Sequence, residues 1–236
     1  MPSYQLRHDQ PVHWLNQLGT QSVDRLLTSL CRGSKHKALG QFHCRNAHSC
    51  RNAWYELFPS QELVGLFDQL YRVLKPDTQG QILCEQLDLP SLIPMAQAAG
   101  FRIGPAQIWQ QLKGQSGKRS HLHFILQLYK GKPVPSWQQR EQLYIYEDEV
   151  GRRLPHALLT RLLEGMEDGL VIDPFMQDHS IASSTLQTGL RFSGAHADPE
   201  LRHELRKELE NQTNAFELMR QAPVRPEKDG MQLPLI

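Results

Sequence analysis

The sequence predicts an α/β fold, a set of parallel strands joined by crossover helices, and three observations carry that prediction. Short apolar runs that read as strands alternate with segments of helical periodicity, the pattern of a parallel sheet. The 236 residues, 39% of them hydrophobic, suffice for one sizeable core. No internal repeat or low-complexity block points elsewhere. With a formal net charge of +1, nothing global demands a nucleic-acid partner, so any basic surface must be a local patch. No apolar run reaches the roughly 18 residues of a membrane span, and the start, MPSYQLRHDQ, lacks a basic-then-apolar leader. The expectation is a cytoplasmic protein with no membrane partner, whose four cysteines (Cys31, Cys44, Cys50 and Cys84) are reduced thiols.

The elements can be read in order. Val23–Thr28 is a short strand, and residues 32–53 are a polar loop rich in Cys, His and Arg. Over Gln61–Leu74 the helical spacing puts Leu63, Leu66, Phe67, Leu70, Val73 and Leu74 on one face, and Lys75-Pro76 ends the helix. Gln81–Cys84 is a strand, and Leu89–Ala99 is a helix closed by Gly100. Phe101–Trp109 reads as a strand, Lys113–Arg119 as a basic Gly/Ser loop, and His121–Tyr129 as an alternating strand broken by Lys130–Pro135. A looser segment runs to Arg153. Next come a helix over Pro155–Met166, a strand at Leu170–Asp173, a helix over Ser180–Thr188, a strand at Leu190–Ala195 and a charged helix over Pro199–Asn211. Residues 223–236, with three prolines, read as a C-terminal tail after a single domain over 1–222.

Three stretches in this order carry a resemblance. Leu70-Tyr-Arg-Val-Leu-Lys-Pro76 precedes an apolar strand and Ala99-Gly-Phe101. His121–Pro133 is a strand ending in Lys-Gly-Lys-Pro. Val171-Ile-Asp-Pro-Phe-Met176 is followed by Gly189–Gly194 and Asp198-Pro-Glu200. Together they resemble the DNA amino-methyltransferases, which methylate adenine N6 or cytosine N4 with S-adenosylmethionine, in the permuted order with the catalytic strand first. The resemblance implies a Rossmann-like S-adenosylmethionine-dependent methyltransferase fold, a mostly parallel sheet with helices on both faces. Its catalytic half falls in 1–133 and its cofactor half in 150–215. It also implies DNA as partner and a bacterial or phage-infected cell, in the setting of restriction and modification.

The site residues follow by position and depart from the family pattern together. The family's cofactor loop is similar to Asp-Pro-Phe-x-Gly-Ser-Gly-Thr, whose glycines allow close backbone approach to the ligand at a helix N-terminus. Here Asp173, Phe175 and then Gln177-Asp-His-Ser180 stand in those places. Where the family has Gly-x-Glu-x-Asp, with the Glu gripping both ribose hydroxyls, Gly194-Ala-His-Ala-Asp198 offers His196 and Asp198; a neutral imidazole accepts one hydrogen bond, so bidentate capture is lost. The catalytic Asp/Asn/Ser-Pro-Pro-Tyr, which polarises the target amino group and stacks on a flipped base, is matched by Ser29, Leu30, Cys31 and Arg32. Arg153–Leu158 keeps a proline but not the family's Gln-Lys-Pro. The expectation is a degenerate member without methyl transfer and without a cofactor, or, if it is active, one that binds S-adenosylmethionine differently and polarises the target amino group with Ser29 and the Leu30 carbonyl.

Other residues carry a functional and a blander reading side by side. No acidic residue falls between Asp24 and Glu56, while Arg25, Arg32, Lys35, Lys37, Arg45 and Arg51 share that stretch, and Lys113, Lys118 and Arg119 form a second basic loop. Both are nucleic-acid candidates, against the alternative of solvated loops. Cys31, His36, His43, Cys44, His48 and Cys50 are zinc-ligand types at spacings that fit no common finger, so no metal is expected. His121 and His123 share a strand face as a weak pair, and Trp14, Trp54, Trp109 and Trp137 read as core, with Trp54 a stacking alternative. Leu201, Leu205 and Leu209 suit packing on the sheet or a dimer seam. A protein partner or homodimer is the remaining functional class.

Overall fold

The computed structural model describes residues 3–30, 60–112, 121–133, 142–147, 154–176, 179–196, 202–203 and 205–211. Its strands are β1 Tyr4–His8, β2 Arg25–Ser29, β3 Thr78–Cys84, β4 Arg102–Ile103, β5 Gln107–Leu112, β6 His121–Lys130, β7 Leu143–Glu147, β8 Leu170–Asp173 and β9 Arg191–His196. The helices are α1 Pro11–Gln17, α2 Ser60–Val73, α3 Leu89–Ala98, α4 His156–Leu163 and α5 Ser180–Gln187. A last helix, α6, is described at 202–203 and 205–211. The strands form one sheet in the order β1-β9-β8-β2-β3-β6-β5-β7, with β4 also on β6. From β1 to β3 every pairing is parallel. β6 runs antiparallel to both β3 and β5.

Apolar residues on alternating positions divide between the two faces. Leu26, Ile82, Leu126, Leu128 and Ile172 face a cluster that includes Trp14 and Leu15 of α1, Leu66, Phe67 and Leu70 of α2, and Leu92 and Ala96 of α3. Leu27, Leu83, Ile125, Val171 and Phe192 face the other, with Leu158, Leu159, Leu162 and Leu163 of α4, Ile181 and Ala182 of α5, and Leu205 and Leu209 of α6. Central strands are therefore apolar on both sides, as a parallel sheet sandwiched by helices requires. Leu205 and Leu209 are taken up by this packing. Lys130, buried at the end of β6, caps α2: its Nζ donates to the carbonyls of Tyr71 at 2.5 Å and Leu74 at 2.6 Å and lies 4.7 Å over the Tyr71 ring. Gly131 follows at φ 71, where a Cβ would sit 2.4 Å from Asp77 Oδ1, so the Lys-Gly-Lys-Pro turn needs its glycine.

The element reading holds with small shifts at the ends, and it is corrected in three places. The Phe101–Trp109 run is two strands on one edge of β6, split at Gly104-Pro105; a Cβ on Gly104 would lie 2.7 Å from Gln127 Cβ and the Tyr129 ring, and proline has no N–H to offer the ladder. β7 lies inside the looser segment, hidden because Leu-Tyr-Ile-Tyr shows no polar alternation; Leu143 and Ile145 are half exposed while Tyr144 is buried. β1 and α1 escape the sequence reading because they are only five and seven residues long, too short to show a period: α1 buries Pro11, Trp14 and Leu15, and Leu6 is buried in β1. The 223–236 tail lies outside the described residues.

Leu162 is fully buried among α4, α5 and the sheet. Leu162→Ala is expected to cost about 2–5 kcal/mol in urea denaturation.

Candidate functional site

The parallel half of the sheet has a switch point. From β8 the chain crosses through α5 to β9 on one side, and from β2 it passes through α2 to β3 on the other. Between two adjacent strands whose connections leave in opposite directions, a crevice opens outside the carboxyl ends, where α/β proteins place ligands. The residues there are Ser29 and Leu30 after β2, Asp173 to Met176 after β8, His196 at the end of β9 and Asp9 after β1.

Asp173 is 2% exposed, and its Oδ1 accepts two hydrogen bonds, from Thr28 Oγ1 at 2.5 Å and from the Phe175 backbone N–H at 3.1 Å. The second is an Asx-type turn that bends the chain out of the strand; the first joins β8 to β2 across the switch point. Phe175 is partly buried against the first apolar cluster. Met176 is 2% exposed, and its Sδ would be 3.0 Å from a Cβ on Gly194. Its thioether thus lies against the backbone of β9 at the glycine where the second cofactor motif begins.

His179 stands at the second glycine of the resembled loop. It is 7% exposed, lies in αR conformation at the N-cap of α5 and makes no side-chain cap. Its Nδ1 donates to Glu208 Oε2 of α6 at 2.7 Å. The next residue, Ser180, is fully buried and accepts from the Leu154 N–H at 3.4 Å. His156 Nδ1 and Ser184 Oγ, 2.8 Å apart, tie α4 to α5 just beyond. The strand-to-helix turn is therefore fastened on two sides by side chains.

At the end of β2 Ser29 is 5% exposed and Leu30 6%; the Leu30 side chain belongs to the first apolar cluster and its N–H donates to Leu83 O at 2.7 Å. His196 is partly buried, and its carbonyl accepts from Asp9 N at 3.3 Å. The structure thus brings Ser29, Leu30, Asp173, Phe175 and His196 to one end of the sheet. Cys31, Arg32, Gln177 and Asp198 lie outside the described residues, as do Lys35, Lys37, Arg45, Arg51, Lys113, Lys118, Arg119 and the Cys/His set of the 32–53 loop. Among the described residues no group of three metal-ligating side chains occurs. His123 stacks on buried Trp109, ring centroids 4.6 Å apart, and Trp14 is also core; Trp54 and Trp137 are outside the description.

Sequence reading missed three contributors. Thr28 reads as an ordinary strand residue, and Glu208 as one charge among many on α6. Asp9 holds His13 Nδ1 at 2.6 Å, Gln17 Nε2 at 2.8 Å and the Gln10 N–H at 2.9 Å. Desolvation pushes the Asp9 carboxyl up, but the hydrogen bonds and the His13 charge outweigh it and hold it below the usual aspartate range. The signal was present as Asp-x-x-x-His-x-x-x-Gln, one face of a helix start.

No family model and no curated protein matches the chain. Solved structures do. TTHA0409, a putative DNA modification methylase from Thermus thermophilus complexed with S-adenosyl-L-methionine, aligns with a TM-score of 0.66 at 15% identity over 89% of this chain and 94% of its own. M1.HpyAVI in complex with S-adenosylmethionine aligns at 0.62 and 14%, over 87% of this chain and 99% of its own. PvuII DNA methyltransferase, cytosine-N4-specific, aligns at 0.68 and 11%, over 92% of each. The chain's structural neighbours are DNA methylases, and the fold is the Rossmann-like one of S-adenosylmethionine-dependent methyltransferases.

Thr28→Val keeps the shape of the threonine but leaves buried Asp173 short of a donor. It is expected to destabilise by about 1–3 kcal/mol in urea denaturation, with the loss recovered in part by adding Asp173→Asn.

Proposed function

We propose that the chain is a DNA methyltransferase-like protein that does not transfer methyl groups and acts by binding nucleic acid. One observation carries the reading: a buried imidazole, His179, fastened to Glu208, stands where the resembled cofactor loop has a glycine. Backbone approach at that position needs the absence of a side chain. His196, in place of the ribose-gripping glutamate, supports the same reading. These residues do not fit S-adenosylmethionine in the manner of the family. Removing one polar contact costs a ligand about 1–3 kcal/mol, and removing several from one site takes a micromolar affinity beyond the millimolar range.

Nucleic acid as the partner rests on the basic residues Arg32, Lys35, Lys37, Arg45 and Arg51, which follow β2 in sequence, and on Lys113, Lys118 and Arg119, which lie in sequence between β5 and β6; β2 and β5 end, and β6 begins, at the crevice end of the sheet. The second reading, an active but divergent enzyme, is favoured by Ser29, which remains at the end of β2 in a fold shared with two S-adenosylmethionine complexes.

Two measurements separate these. Calorimetry with S-adenosylmethionine up to about 1 mM is expected to give no binding heat; a dissociation constant in the micromolar range would end the first reading. Anisotropy with a labelled duplex is expected to show binding that weakens by about two orders of magnitude between ~50 and ~200 mM salt, the slope of roughly four phosphate contacts, and the Lys35→Glu/Lys37→Glu variant is expected to flatten that slope. No binding at the lower salt removes nucleic acid as the partner.

A further inference from the structure

Arg25 begins β2 on the face covered by α4, α5 and α6, since side chains alternate and Leu27, two residues on, lies in that cluster. It is 8% exposed, and its Nε and Nη1 are buried without a hydrogen-bond partner. Burial pulls its pKa down to about 10, which leaves it a cation at neutral pH. A buried guanidinium with no counter-charge among the described residues is costly for a fold to hold. The neighbouring carboxylate is committed elsewhere: Asp24 Oδ1 takes Lys75 Nζ at 2.6 Å and its Oδ2 takes the Leu170 N–H at 2.8 Å.

The register places Leu27 beside Gln81 of β3, so Gln81 shares the face of Arg25, two positions further along. Gln81 is fully buried, and neither Nε2 nor Oε1 has a partner. On the next strands the glutamines pair, Gln127 donating to Gln107 and Gln107 donating to Tyr144 Oη at 3.2 Å, while Gln79, level with Arg25 on β3, keeps its Oε1 buried without a hydrogen-bond partner. Across Arg25, Gln81, Gln127 and Gln107, the unpartnered atoms belong to Arg25 and Gln81.

We propose that Arg25 and Gln81 form a binding site for a small hydroxyl-bearing oxyanion, a monohydrogen phosphate group free or on a metabolite, on the face of the sheet covered by α4. The guanidinium and Gln81 Nε2 donate to the charged oxygens, and Gln81 Oε1 accepts from the P–O–H. Arg25, with its residual exposure, is the mouth of the site and Gln81 the floor. Four strand residues, roughly 13 Å, separate Arg25 from Ser29, and Gln81, level with Leu27, stops two residues short of it, so the site opens at the far end of β2 from the crevice.

Thermal denaturation of the full chain at constant ionic strength tests this, with inorganic phosphate, sulfate and acetate as probes. The wild type is expected to show a saturable rise in Tm of several degrees with phosphate and a weaker one with sulfate and acetate, which carry no O–H for Gln81. General salt stabilisation does not saturate and is common to all variants. Arg25→Met is expected to match or exceed the wild-type Tm in phosphate-free buffer, where it removes an unpaired charge, and to give no saturable response. Gln81→Leu is expected to raise the phosphate midpoint about tenfold and to erase the preference over sulfate. A wild type without a saturable response, or one that Arg25→Met leaves undiminished, overturns the site. Should Arg25→Met fail to fold, the side-chain 15Nε resonance of Arg25, assigned through Arg25→Lys, decides in the wild type: it must shift with the same phosphate midpoint as the Tm, and an unmoved resonance overturns the proposal. Titrating a phosphate ester of a small sugar beside inorganic phosphate distinguishes the bound-group source from the free ion.

Discussion

The hydrogen bond from Thr28 to Asp173 sits where the architecture turns around. It joins the ends of the two central strands, β2 and β8, from which the chain departs in opposite directions. A carboxylate that is 2% exposed has to be satisfied inside the protein, and its Oδ1 also fixes the Phe175 N–H and with it the exit of the chain from β8. Everything downstream inherits that direction: Met176 is laid against β9, His179 is carried to α6, and Ser180 starts α5 beneath Leu154. An acid at this position reads in the resembled family as part of a ligand site, yet here its visible duties are structural.

Most of the fold was legible because the core is regular. Helix α2 announced itself by apolar residues at helical spacing, of which Leu66, Phe67, Leu70 and Val73 are buried, and Leu170–Asp173 and Leu89–Ala98 came out within a residue of their reading. What the sequence hid has physical reasons. β7 pairs only with β5 at the sheet edge, so its outward Leu143 and Ile145 remain half exposed and the usual inside–outside contrast is absent. The Gly104-Pro105 break carried a local signal, a Gly-Pro dipeptide inside a strand pattern, that the reading passed over, while the approach of Gln127 and Tyr129 that makes the glycine necessary comes from a strand some twenty residues later.

The site divided along a similar line. Positions inherited from the motif pattern, Ser29, Leu30, Asp173, Phe175 and His196, do collect at one end of the sheet, because strand ends in a parallel sheet are brought together by topology alone. Their partners were not legible. Glu208 lies 29 residues after His179 and Thr28 lies 145 before Asp173, and no local spacing rule reaches that far. Arg25 was misplaced for the opposite reason: the sequence reads it as one more basic residue of the stretch after Asp24, whereas the structure gives Asp24 to Lys75 and turns Arg25 inward.

A fold that binds a ligand tightly is stabilised by it, by about 2.7 kcal/mol at a hundredfold excess over the dissociation constant. A chain that gives up that ligand keeps its fold only if its own contacts replace the loss. Three ties at the turn have the right position for this: Asp173 to Thr28, His179 to Glu208 and His156 to Ser184. At a net ~1 kcal/mol for an ordinary hydrogen bond, they amount to about the stabilisation that a bound cofactor confers. On the proposed reading, His179 serves twice: it occupies the place of the loop glycine and, through Glu208, it supplies one of the ties that stand in for the stabilisation a cofactor would confer.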